Sequence, residues 1–318
     1  MALSISIHPW RVIAAINVAF FSLFLVLAAF PLVHIARVAF KRFTRIVILI
    51  TLLYCTKIAS GGLLLYLLDH LSDSNSNKEI NIFIASMVLA SLAPAFLLMC
   101  NFKLVGYINH LERGDNVPKK HVTLFGHIFS LRRNIVTLLR GTSEERLDST
   151  EGIYWTLVIV TIALSSAGNG VSSSNYTAAR GLIRAAGILY LIEWIILIGL
   201  IVYAIRTVIV MKRVTYQKYV NFLLILAAIA AIFVGVRVCA YIAQAFTLKK
   251  GYYGFGQSRF SYLTGEWKLY AFVTFMPECI ASGIWVVILW CLSKHLKHER
   301  YDTGSESPLV PKADDSDS

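Results

Sequence analysis

Charge is scarce in this chain: Asp, Glu, Lys and Arg make up only 15% of its 318 residues, against 57% hydrophobic residues. That scarcity excludes a water-facing globule, because no soluble fold of this size could hide so much apolar surface. Recognisable catalytic signatures are missing too. The chain has no nucleophile elbow, P-loop or dinucleotide fingerprint. Its eight histidines, His8, His34, His70, His110, His121, His127, His295 and His298, lie in loops or near the ends of apolar runs without ligand spacing, so neither a metal nor another cofactor is expected. Cysteine is sparse, and Cys55, Cys100, Cys239, Cys279 and Cys291 all fall inside apolar runs, which excludes a disulfide framework in the intervening loops. No secretory leader is expected either. Met1 to Trp10 has no basic n-region, and the first apolar run is long enough to remain as a membrane span.

What the chain does have is seven long apolar runs, with a mean hydropathy of +0.66 overall. A bilayer core about 30 Å thick takes roughly 20 apolar residues of helix. The runs are Val12 to Val33, Ile46 to Leu68, Ile80 to Gly106, Gly152 to Gly170, Leu182 to Ile205, Val220 to Phe246 and Lys268 to Leu292. The fourth ends in a polar, glycine-rich stretch, Ser165-Ser166 and Gly168-Asn169-Gly170. Lipid offers the backbone no hydrogen-bond partners, so each run is expected to be helical. The predicted fold is an all-α, polytopic bundle of seven transmembrane helices over residues 1–300, followed by a disordered tail at 301–318.

Basic residues predict the orientation, because they are retained on the cytoplasmic side. They cluster after the first run (Arg37, Lys41, Arg42, Arg45), the third (Arg113, Lys119, Lys120, Arg132, Arg133, Arg140), the fifth (Arg206, Lys212, Arg213, Lys218) and the seventh (Lys294, Lys297, Arg300). The loop after the second run is acidic, with Asp69, Asp73 and Glu79 against Lys78; the loop after the sixth is an exception, with Lys249, Lys250 and Arg259. The N-terminus is therefore expected outside and the C-terminus inside. The sequon Asn175-Tyr176-Thr177 falls on the same outer side, which makes Asn175 a glycosylation candidate. With this arrangement the formal charge of +12 is a topology and anionic-lipid signal, and no nucleic-acid partner is expected.

Within the cytoplasmic loop 109–150, Leu124, Ile128, Leu131, Ile135 and Leu138 share one helical face while Arg132, Arg133 and Arg140 lie off it. This pattern suits a helix lying in the membrane interface or packed under the bundle. Trp10, Trp155, Trp267 and Trp290 stand near run ends, where interface anchors belong. Small residues in Ser60-Gly61-Gly62 and between Gly181 and Gly187 suggest close helix packing.

Four ionisable residues lie deep in the runs: Lys57, Glu193, Arg237 and Glu278. Each costs about 2.5 to 3.5 kcal/mol to insert, so each is expected to face the bundle interior and find a partner. Counted from the outer boundary at about 1.5 Å per residue, Arg237 and Glu278 come out about 15 Å deep, and Lys57 and Glu193 about 20 Å. Matching depths predict two ion pairs, Arg237 with Glu278 and Lys57 with Glu193. Pro277 frees a backbone carbonyl one turn back, and Asn101, Gln244 and Tyr241 are further hydrogen-bonding candidates. Together these residues suggest a polar ligand-binding or gating cavity.

Three segments then carry a resemblance: Lys57-Ile58-Ala59-Ser60-Gly61-Gly62, Val236-Arg237-Val238-Cys239-Ala240-Tyr241, and Gly265-Glu266-Trp267 followed by Tyr270 and Pro277-Glu278. They resemble a fungal family of seven-span integral membrane proteins of unknown function, distantly similar to RTA-like lipid-translocating exporters. The likeness covers nearly the whole chain and implies the seven-span topology. The RTA-like proteins carry an acidic residue soon after the aromatic of the last span, where this chain has Val273.

Three functions compete. A receptor-like protein would bind a small lipophilic ligand in the outer half of the bundle and relay it through the basic loops to a cytoplasmic partner. It would lack the Asp-Arg-Tyr and Asn-Pro-x-x-Tyr motifs of ordinary G-protein-coupled receptors, and also a central lysine in span seven for a retinal Schiff base. A translocator of lipids or small molecules would use the charged pairs as a gate, but no inverted repeat is evident. An intramembrane enzyme, similar in outline to seven-span terpene cyclases, would use Glu193 or Glu278 as a general acid. The expectation is a non-catalytic membrane protein, with ligand sensing ahead of translocation, in the plasma membrane or an endomembrane.

Overall fold

The structure is a computed structural model and describes residues 7–70, 77–113, 143–172, 174–211, 217–250, 256–262 and 265–305. Among these residues, seven helices are long and apolar enough to cross a membrane: His8–Ile35, Ile46–Asp69, Glu79–Gly106, Thr150–Gly170, Tyr176–Arg206, Tyr219–Thr247 and Trp267–Lys294. Each contains one of the predicted runs, the polar-ended fourth included. The protein is thus a multi-pass membrane protein by length and composition of its helices. The amphipathic 124–138 segment lies outside the described residues, as does the tail beyond Ser305, where the last helix ends.

Helical bonding continues from Ile7 to Asp69, 63 residues, which as a straight rod would measure ~95 Å. Yet Arg11 forms an ion pair with Asp69 at 2.6 Å, and its guanidinium also donates to the Leu68 carbonyl. The first two spans therefore lie side by side, and the chain doubles back between them. Gly61 lets them touch, since a Cβ there would sit 2.8 Å from a Val18 methyl. Gly62 and Gly181 open onto free space and Gly187 onto ordinary contacts, so only part of the small-residue expectation is met. A closer approach is at Gly235, where a Cβ would meet the Trp194 indole at 2.7 Å.

The hairpin packs on the third span and on the last helix; the fourth span packs on the fifth, the fifth on the sixth, and the sixth on the last. The third span also contacts the fourth, fifth and sixth, which makes it the central helix. Its apolar window is 61% buried, against 28% for the first span, whose Phe20, Leu23, Val26 and Phe30 point outward as lipid-facing residues should. Trp267 and Trp290 are also partly exposed, as interface anchors require, but Trp155 is buried and Trp10 is only 2% exposed. Trp10 instead packs edge-on to Tyr262 and tilted on Tyr270, with centroids 6.0 and 5.3 Å away. One aromatic partner from the segment before the last span and one from that span's first turn hold it in place of lipid headgroups.

That segment has its own structure. Lys249–Lys250 pairs antiparallel with Gly256–Gln257, the Gly265 and Glu266 amides donate to the carbonyls of Ser261 and Arg259, and Arg259 reaches Glu266 at 3.4 Å. Gly265 is required by space, since a Cβ would collide with both carbonyl oxygens at 2.4 and 2.5 Å. Burial pushes the Tyr262 phenol up to about 12.

Candidate functional site

The last span is not a uniform α-helix. Trp267–Tyr270 is α-helical, Ala271–Phe275 forms a π turn, and Met276–Ser305 is α-helical again. The Met276 amide donates to the Ala271 carbonyl, five residues back. Pro277 explains the widening. It has no N–H to continue the four-residue ladder, and its ring crowds the preceding turn, so the helix takes an extra residue there. Glu278 lies in the first turn of the α-helix that follows.

Glu278 receives both buried cations. Lys57 Nζ lies 2.5 Å from its Oε2, and Arg237 Nε lies 2.5 Å from its Oε1. The relative exposures are 1% for Lys57, 5% for Arg237 and 1% for Glu278, so the three charges are shielded together. The second, sixth and seventh spans meet at this point. Neighbouring contacts hold the geometry: Tyr54 donates to the Ser282 carbonyl at 3.2 Å, Asn17 donates to the Lys57 carbonyl at 3.2 Å, and Lys57 Nζ sits 5.3 Å over the Phe21 ring. Ser60 and Ser86 clasp the second and third spans, each hydroxyl donating to the other's carbonyl at 3.1 and 3.0 Å.

The expected Arg237–Glu278 pair is present, but the expected Lys57–Glu193 pair is not. Lys57 goes to Glu278 because its hairpin packs against the last helix, while the Glu193 helix packs against the fourth and sixth spans. Depth counting places a Cα, and a lysine stem can reach a helical turn away from it. Adjacency therefore overrode depth.

Glu193 is 0% exposed and has no ion pair among the described residues. Its Oε1 lies 2.5 Å from Thr161 Oγ1, and its Oε2 has no hydrogen-bond partner. Tyr241, one turn beyond Arg237, shares a 2.7 Å hydrogen bond with Ser165 and packs edge-on to Tyr190, 5.1 Å between centroids. Tyr190 donates to the Ser91 carbonyl at 3.1 Å. Asn101, expected to add hydrogen bonds, is fully buried with both amide atoms unpartnered. The structure thus brings Lys57, Arg237 and Glu278 into one cluster and sets Glu193 apart, with Tyr190 in electrostatic range of both Arg237 and Glu193.

Two cations against one carboxylate leave the cluster with a net positive charge. Nε is the only Arg237 nitrogen with a hydrogen-bond partner among the described residues. The rest of the guanidinium fork suits a second carboxylate or a phosphate oxygen pair. No group of His, Cys, Asp and Glu fit to hold a metal occurs among the described residues, and all five cysteines are free. Thr161, Ser165, Tyr54 and the Trp10–Tyr262–Tyr270 aromatic group were not legible as site residues. A threonine or tyrosine in an apolar run looks like any core residue until its neighbour is known.

Comparison with known proteins gives no matching family model, curated protein or solved structure.

Proposed function

We propose that this protein binds a small lipophilic ligand with an anionic head, in a receptor-like role within the membrane. The observation that carries the reading is the net positive charge of the Lys57–Glu278–Arg237 cluster. A buried excess cation is costly in a low-dielectric interior, and a ligand anion on the free side of Arg237 offsets that cost. The ligand's apolar body matches the lipid-like surroundings, and Tyr262 with Trp10 and Tyr270 covers the bundle end nearest the N-terminus. In this reading the N-terminus is outside, the C-terminus is cytoplasmic and meets an unidentified partner there, and the protein resides in the plasma membrane. Asn175 is exposed and its sequon then faces the glycosylating compartment.

The test is thermal stabilisation of the purified chain in nanodiscs by a long-chain fatty acid, a lysophospholipid with a phosphate monoester head, and a neutral monoacylglycerol. Stabilisation by an anionic probe, absent with the neutral one and lost in Arg237→Met, supports the reading. Equal effects of neutral and anionic probes on both proteins reject it.

One observation favours translocation as the second reading. The π turn and Pro277 make a break beside the charged cluster, as in helices that flex around a substrate. Probe flux into proteoliposomes that depends on Arg237 moves the function from sensing to translocation.

A further inference from the structure

The hydrogen count around Glu193 is one short. Thr161 Oγ1 lies 2.9 Å from the Leu157 carbonyl oxygen and 2.5 Å from Glu193 Oε1, both hydrogen-bonding distances. A hydroxyl owns one hydrogen, and a carbonyl oxygen has none to offer. If the carboxyl were ionised, the single Thr161 hydrogen would have to be shared between two acceptors. A protonated carboxyl supplies the missing hydrogen. Glu193 then donates to Thr161, and Thr161 donates to Leu157 in the backbone-directed manner usual for a helical threonine.

The surroundings agree. Glu193 is fully buried, and the two deep cations, Lys57 and Arg237, are committed to Glu278 at 2.5 Å. The titratable groups in electrostatic range of Glu193 are phenols, Tyr154 from the fourth span and Tyr190 from its own helix. Tyr241 of the sixth span touches it only through Tyr190. A lone ion here would have neither water nor a counter-charge, whereas a neutral acid needs only hydrogen-bond partners. Glu193 Oε2 and the Tyr154 hydroxyl are buried without a hydrogen-bond partner.

We propose that Glu193 is a proton-binding site, a neutral carboxylic acid set between the fourth and fifth spans. Because Thr161 belongs to the fourth span and Glu193 to the fifth, parting those spans would remove the carboxyl's partner and couple to release of the proton. This inference does not depend on the ligand reading, because it uses none of the cluster residues.

Infrared difference spectroscopy of the full chain in nanodiscs tests it. The expected result is a carboxylic C=O band that shifts in heavy water, disappears in Glu193→Gln and survives in Glu278→Gln. No such band in folded wild-type protein, or a band that survives Glu193→Gln, overturns the proposal. Sodium-dependent stabilisation lost in Glu193→Gln, with no acid band, also overturns it by making the site a cation site. If Glu193→Gln does not fold, Thr161→Val decides. Loss of the acceptor must move the band to higher frequency, and an unmoved band rejects the assignment.

Discussion

Glu278 and Glu193 are the same side chain in the same kind of environment, both essentially unexposed within the bundle, yet they have opposite partners. Glu278 holds two cations at 2.5 Å, and Glu193 holds one threonine hydroxyl. The difference shows that burial alone does not set what a membrane carboxyl does. What matters is which helices bring charge to it, and here the second and sixth spans both deliver theirs to the seventh. The fourth and fifth deliver only hydroxyls.

The largest effect should come from removing the shared anion. Glu278→Gln leaves Lys57 and Arg237 buried without a counter-charge, and about 3 to 5 kcal/mol of stability should be lost, read as a collapse in monodisperse yield and thermal midpoint. Removing one cation is milder, because the other still balances the carboxylate. Lys57→Met or Arg237→Met should each cost about 1 to 3 kcal/mol in the same assay. A single substitution of either cation that harms as much as Glu278→Gln breaks the idea of a shared anion.

Away from the charges, Gly235→Ala should cost about 1 to 3 kcal/mol by pushing Trp194 off its Ala231 hydrogen bond. Tryptophan emission should shift in step. Asn175 caps the fifth helix, accepting from the Ala178 amide at 3.1 Å. Asn175→Ala should therefore cost about 1 kcal/mol whether or not the residue carries a glycan, a separation that enzymatic deglycosylation of the wild type can make. The smallest effect is expected at Glu193. Glu193→Gln keeps shape and a donor for Thr161, so its stability should stay within roughly 1 kcal/mol of wild type, the sharpest contrast with Glu278→Gln.

The helices were legible because insertion into lipid depends on length and apolarity, both local properties of the chain. Even the fourth span, with Ser165 and Asn169 near its end, was long and apolar enough to register; those polar atoms find Tyr241 and the Ser165 carbonyl once folded. The Arg237–Glu278 pair was legible from depth because the sixth and seventh spans are consecutive and pack together. Lys57 and Glu193 were not, because their spans are distant in sequence and depth cannot report which helices touch.

By itself, then, the sequence determined seven apolar helices and the four charges that must find partners inside them, since the cost of insertion is paid residue by residue. Only the tertiary structure decided that Lys57 joins Arg237 on Glu278, that Glu193 is left with Thr161, and that Trp10 belongs to an aromatic group with Tyr262 and Tyr270. The physical reason is that pairing depends on helix adjacency and side-chain reach, which appear only when the bundle closes.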